Sequence, residues 1–336
     1  MCVLSLVSPA HPSLTWSLAS YAQQETMRSS ALVASLVAMA STASAAIQGF
    51  NYGAFFMNQQ PKFQADFEYE FNRAKNLPGT SGWNSARLYT MVQWHTANDV
   101  VQAIPAAINT QTKLLLGLWV SGGEQAIENE LTALRKAINT YGDAFTRLVV
   151  GISVGSEDLY RHLNNEVGVD ADTLIRYIRR TREVLAGTPL ASTPVGHVDT
   201  YDSFLDGRNR KVVDQLDWLG FDGYPYWERT KANSIENARE RFYDGLDKTI
   251  ALANGRPVWV TETGWPVIGD TVNQAVASPA NARIYWREIA CSLISRGINV
   301  WWYMLQESQW GQARPDFGIY GPGDLGQLQP YYDLSC

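Results

Sequence analysis

From Ala46 to the C-terminus the chain repeats one rhythm: a short apolar run, then a polar or helically spaced stretch. The apolar runs "AIQGFNYG", "SARLYT", "KLLLGLWV", "RLVVGISVG", "TPLASTPVG", "LDWLGFDGY", "RPVWVTE" and "INVWWYML" each read as a buried strand, because they are brief and rich in β-branched and aromatic residues. The stretches between several of them carry apolar residues at helical spacing. "ENELTALRKAINTYG" ends on a glycine stop, and "DADTLIRYIRRTREVLAG" has an acidic start and basic residues later. "SPANARIYWREIACSLISRG" places Ser278 as N-cap and Pro279 in the first turn. Strands alternating with helices imply a parallel sheet. Eight such units in roughly 290 residues suit a closed (β/α)8 barrel, in the α/β class and as a single domain. An open doubly wound sheet is the rival, but its glycine-rich phosphate turn is missing: the first strand runs into "NYGAFFMNQQP".

The first 45 residues stand apart from this rhythm. Met27 and Arg28 open a basic start, followed by the apolar run "ALVASLVAMA" and the small-residue site "ASA" ending at Ala45. That layout is a secretory signal peptide over 27–45, too short for a membrane span, so residues 1–45 are expected to be removed as a leader and 46–336 to form the barrel. Secretion gives the cysteines a meaning. Cys2 falls in the leader, while Cys291 and Cys336 remain as an even pair in an oxidising compartment and are expected to form a disulfide. No Asn-x-Ser/Thr acceptor for N-glycosylation occurs. A net charge of -6 argues against a nucleic-acid partner. A monomer without membrane attachment is expected once the leader is gone.

In a barrel of this kind chemistry gathers at the C-terminal ends of the strands. Those ends present Asn51 and Tyr52, Arg87 and Tyr89, Glu157 and Asp158, His197 and Asp199, Asp222 with Tyr224 and Tyr226, Glu262, and Gln306 with Glu307. Two carboxylates facing each other across such a mouth can cleave a glycosidic bond, one protonating the leaving oxygen and the other attacking or activating water. Glu157 and Glu262 are the best pair, because each follows a strongly apolar strand and three units separate them. Asp158 offers the same chemistry one residue on, and a structural ion pair of Glu262 with Arg87 is the plain alternative. The histidines lack metal-ligand spacing, and Lys113 stands at a strand start rather than an end, which opposes Schiff-base chemistry. No metal and no cofactor are expected.

The segment "WVTETGWP" resembles the nucleophile region of glycoside hydrolase family 17, and "GISVGSEDLYR" resembles the acid/base region of its fungal β-1,3-glucanase and glucanosyltransferase branch. "SARLYT", "STPVGHVDTY" and "GFDGYPYWE" fit the same family in the same order. The resemblance covers about Ile47 to Cys336. It implies a retaining enzyme acting on β-1,3-glucan or laminari-oligosaccharides, extracellular or in the cell wall, with Glu157 as acid/base and Glu262 as nucleophile. Arg87 would hold Glu262 ionised, and Tyr224 would donate its hydroxyl to it. Tyr52, Tyr89, Asp158 and Glu307 join these as candidate substrate contacts, and Trp310, Tyr226, Trp265 and Phe317 as candidate sugar-stacking aromatics. One position departs from the wider pattern: Ser156 stands where related enzymes often carry an asparagine that holds the sugar 2-hydroxyl, and since a serine is shorter and presents one donor rather than an amide, that contact is expected to be missing or made through water. The resemblance implies hydrolysis or transfer to a sugar acceptor; a glucan-binding wall protein without activity is the alternative from another class.

Overall fold

A computed structural model describes residues 46–336. The expected leader over 1–45, its signal segment 27–45 and Cys2 lie outside the described residues. The eight expected strands form a closed parallel barrel in sequential order. They are β1 (Gln48–Tyr52), β2 (Trp83–Leu88), β3 (Lys113–Leu118), β4 (Val149–Ser156), β5 (Val195–Asp199), β6 (Trp218–Asp222), β7 (Val258–Glu262) and β8 (Val300–Trp302). Closure is made by β1 on β8, with Gln48 opposite Val300 and Phe50 opposite Trp302. Because every strand runs the same way, all eight C-terminal ends open at one mouth.

The helices form the outer ring: α1 (Gln64–Lys75), α2 (Ala103–Thr110), α3 (Glu124–Thr146), α4 (Asp158–Leu163), α5 (Ala171–Leu185), α6 (Tyr201–Leu205), α7 (Arg210–Val213), α8 (Ile235–Leu252), and α9 (Pro279–Tyr285), which continues through a π turn into α10 (Cys291–Ser295). The expected starts have a visible cause. Asp170 accepts from the N–H groups of Asp172 and Thr173 ahead of α5, and Ser278 accepts from Asn281 ahead of α9. No helix among the described residues is long and apolar enough to cross a membrane.

Two apolar layers result. Strand residues facing outward pack under the helices, as Trp302 does on Trp286. The barrel interior is filled by Leu115, Val198, Trp218 and Trp301, with Trp259 stacked on Trp218 at 4.2 Å. This plug needs a glycine at 196, where a Cβ would meet the Trp218 ring at 2.4 Å.

Two strands differ from the expectation. The fifth starts at Val195, not at Thr188. Residues 188–193 are turns instead, with Ala191 N–H bonded to the Thr188 carbonyl and Thr193 N–H to that of Leu190. Pro189 and Pro194 have no N–H to give a ladder, and pairing begins only at Pro194, whose carbonyl accepts the Ile152 N–H at 3.0 Å. The eighth is short, and the chain beyond it turns over the mouth, where Tyr320 N–H bonds the Leu305 carbonyl. The C-terminal segment then returns to the ring, where Trp286 donates to the Leu334 carbonyl at 3.0 Å. Cys291 and Cys336 are joined with their Cα atoms 5.5 Å apart. Closing a span of 45 residues, this bond contributes about 4 kcal/mol on loop-closure entropy.

Candidate active site

The strand ends enclose a cleft of about 1400 Å³, whose floor holds Ser156, Glu157, Asp222, Tyr224, Glu262, Tyr303 and Glu307. One oxygen each from Glu157, Asp222 and Glu262 lies within 4.8 Å of the others.

Glu262 ends β7 and is nearly buried. Arg87 Nη1, itself buried, donates to its Oε1 at 2.5 Å, Tyr89 to the same oxygen at 2.7 Å and Tyr224 to Oε2 at 2.8 Å. Burial alone would disfavour the guanidinium charge, but the Glu262 carboxylate bonded to it holds Arg87 firmly protonated. Arg87 is aimed from below: Nη1 also reaches Asn51 Oδ1 at 2.8 Å, and Nη2 donates to Ser156 Oγ at 2.9 Å. The Glu262 carboxyl thus faces a fixed cation and two phenols.

Glu157 sits differently. It follows β4 in a left-handed turn, φ 56°, with its N–H bonded to the Val198 carbonyl at 2.8 Å. The turn depends on its neighbours. Gly155 has φ +80°, and a Cβ there would strike Asp158 Oδ2 at 2.3 Å. That oxygen accepts the Ser156 N–H at 2.9 Å, while Ser121 donates to Oδ1 at 2.6 Å. Below, buried His197 bridges the Val154 carbonyl and Asp199, and Asp199 accepts the Leu159 N–H at the start of α4. Among the described residues the Glu157 side chain has only Arg161 as an ionic partner, at 3.2 Å and partly exposed. Burial first, then the charges of Glu262 and Asp199, push its carboxyl up to about 7. Across the mouth, burial and Asp316 push Glu307 up to about 7 as well.

One carboxyl ready to give a proton therefore faces one held by a cation, which is the division acid-assisted glycoside cleavage needs. Residues 49–320 match the BtgE/BtgC glycoside hydrolase domain. The chain belongs to that family. It is 52% identical over 301 residues to "Probable glucan endo-1,3-beta-glucosidase" of Aspergillus niger, covering 88% of this chain and 64% of that protein. The chain thus spans under two thirds of that relative's length. The structure of a glycoside hydrolase family 17 β-1,3-glucanosyltransferase from Rhizomucor miehei superposes with a TM-score of 0.70 at 26% identity, over 86% of this chain and 98% of that one. An active-site mutant of the Rhizomucor enzyme in complex with laminaritriose gives a TM-score of 0.69 at 26% identity, with the same coverage of 86% and 98%.

Within this glycoside hydrolase domain the expected site residues divide. Arg87, Tyr89, Ser156, Glu157, Tyr224, Glu262, Glu307 and Phe317 line the cleft or bond a group that does. Five candidates do not. Tyr52 points outward and packs edge-on against Phe71 of α1 at 4.9 Å. Asp158 is fully buried in the turn it builds. Tyr226 is buried and donates to the Asp270 carbonyl. Trp265 is buried, its indole N–H on the Val276 carbonyl at 3.0 Å. Trp310 is 54% exposed against Phe56, beyond the cleft lining. A strand-end position does not fix which way a side chain points, and alternation sends half of them away from the mouth.

Four other residues take places the sequence reading left unassigned. Tyr303 donates to Glu307 at 3.3 Å, and Trp119, 51% exposed, forms a cleft wall. Both were hidden inside apolar runs taken as strand. Asn51 and Asp222 stood at strand ends without a role; the first orients Arg87, and the second joins the two glutamates.

Proposed function

We propose that this chain is a retaining glycosidase of family 17 that cleaves β-1,3-glucan through a glycosyl-enzyme intermediate. The observation that carries the reading is the close approach of Glu157 and Glu262, with oxygens within 4.8 Å, in unlike environments. A close approach of this kind suits direct attack on the anomeric carbon, whereas an inverting pair stands further apart to admit a water. In the first step Glu262, ionised beside Arg87, attacks the anomeric carbon while Glu157 gives its proton to the leaving oxygen. In the second, Glu157 takes a proton from the incoming hydroxyl, whose oxygen displaces Glu262. The phenols of Tyr89 and Tyr224 hold Glu262 in line and release it as its charge is consumed. The names of the Aspergillus and Rhizomucor proteins support β-1,3-glucan as substrate. The expected signal segment 27–45 supports secretion to the wall or medium.

Transfer to a second sugar is the competing outcome of the same intermediate. The similarity to the Rhizomucor glucanosyltransferase favours it, and so do Trp119 and Trp227, exposed at 51% and 42% on the cleft rim. A bound acceptor beats water by effective concentration, so hydrolysis is expected at low substrate and longer products as oligosaccharide concentration rises. The test is chromatography of products from a defined laminari-oligosaccharide, with the anomer formed first read by NMR. Release of the β-anomer supports retention, and the α-anomer overturns it. No turnover at all would leave a glucan-binding protein.

A further inference from the structure

Asp222 is the third carboxyl of the cluster, and the two-carboxylate scheme gives it no task. It ends β6 directly opposite Glu262 in the parallel ladder, lines the cleft floor and is 3% exposed. Thr261 donates to its Oδ1 at 2.7 Å, while Oδ2 is buried with no hydrogen-bond partner among the described residues. A buried polar atom without a partner is costly, and Asp222 stands on the cleft floor, where a ligand group would complete it.

The charge count settles the form of the group. Three carboxyls converge within 4.8 Å, and the one buried cation among them, Arg87, is bonded to Glu262. No donor faces Oδ2, as an ionised carboxylate would require. The charged and titratable groups around it are Glu262 on β7, Arg87 on β2 and Glu157 after β4; Tyr224 follows on its own strand, and Asp199 ends the adjacent β5. Burial, and then the Glu262 charge, hold Asp222 well above the usual carboxyl range, in agreement with a neutral acid.

The substrate atom it meets follows from reach. The sugar carbon that bonds Glu262 carries a hydroxyl on its immediate neighbour, C2, and that hydroxyl lies beside the nucleophile carboxylate. Contacts to it strengthen as the oxocarbenium character grows. Ser156 Oγ accepts from Arg87 Nη2 and keeps its own O–H to donate, so it is a neighbour of this contact and not a substitute for Asp222. We propose that Asp222 donates a hydrogen bond from its neutral carboxyl group to the 2-hydroxyl of the sugar held between Glu157 and Glu262. This rests on the glycosidase reading above.

The test compares Asp222→Asn and Asp222→Leu on an aryl β-laminaribioside and on its 2-deoxy counterpart at the reacting sugar, with thermal unfolding as a check on folding. Asp222→Leu is expected to lower kcat/KM on the parent by about 100-fold, the scale of a lost transition-state donor. On the 2-deoxy substrate it should lose less than about tenfold. Asp222→Asn keeps a neutral donor and should restore most of the parent rate, with the alkaline limb of its pH profile unmoved. Equal losses on both substrates overturn the 2-hydroxyl contact. An Asn variant as poor as the Leu variant, or one whose alkaline limb moves to lower pH, overturns the neutral acid. A wild-type protein that turns over neither substrate sinks the glycosidase reading itself, a result distinct from all of these.

Discussion

Glu157 and Glu262 face each other across one mouth, and their surroundings share almost nothing. Glu262 ends a regular strand and meets a buried guanidinium at 2.5 Å and two phenols. Glu157 hangs from a left-handed turn and has one partly exposed arginine at 3.2 Å. The first environment is rigid and stabilises charge. The second is under-solvated and opposes charge, which is why its carboxyl moves to about 7. The two roles follow from the donors around each carboxyl rather than from the carboxyls themselves.

The largest effect should come from removing the charged half. Glu262→Ala leaves the anomeric carbon without a nucleophile and should lower kcat by about 10,000-fold or more, on laminarin and on an activated aryl glycoside alike. Steady-state rates on both substrates check it. An aryl substrate still turned over at near wild-type rate would place the nucleophile elsewhere.

The proton-giving half should be separable from it. Glu157→Ala is expected to cost about 100- to 10,000-fold on laminarin, the range for general acid catalysis. On an aryl glycoside with a good leaving group the first step needs no proton, so the loss should be far smaller and a glycosyl-enzyme should accumulate. A burst of aryl alcohol in rapid mixing is the readout. Equal losses on the two substrates would erase the contrast between the glutamates.

How much of this contrast was legible beforehand differs between the halves. Arg87, Tyr224 and Glu262 stand at the ends of clean apolar strands, so their convergence could be expected from barrel topology. The turn around Glu157 could not. It depends on positive φ at Gly155 and Glu157 and on Asp158 folding back to the Ser156 N–H, and single-residue backbone geometry leaves no periodic trace. The same limit explains Tyr226 and Trp265, whose type suits sugar stacking but whose side chains are buried away from the cleft. Strand five was displaced for a related reason: "TPLAST" has an apolar look, yet its prolines remove ladder donors. Helix starts at Asp170 and Ser278 were legible because a cap is a local contact.

The charged half can be sharpened without destroying it. Tyr224→Phe removes one of three donors to Glu262 and keeps the ring packed at 5.6 Å on Phe317. A hydrogen bond to a charged group contributes about 1.5–3 kcal/mol, so kcat/KM should fall roughly 10- to 100-fold. Steady-state kinetics of the variant beside wild type on laminarin check it. An unchanged kcat/KM would mean the phenol only packs.

The smallest effect concerns Arg161, the one cation beside Glu157 outside the buried core. Its charge favours ionised Glu157 and so works against the proton that the first step needs. Replacing it with glutamine should raise the pKa of Glu157. On the proposed mechanism the first step needs Glu157 protonated, so the rate should be lost as pH rises through that value, about 7 in the free enzyme. The alkaline limb of kcat/KM should therefore shift to higher pH in Arg161→Gln. Arg161 is 44% exposed, so solvent screens the pair and the shift should be no more than about half a pH unit. Glu307 also titrates near 7, but Arg161 is not among the groups acting on it, so a limb that moves with this substitution reports Glu157. A limb that stays in place would assign the alkaline loss to Glu307 instead, and the proton donor would then have to be sought on the strand-eight side of the cleft.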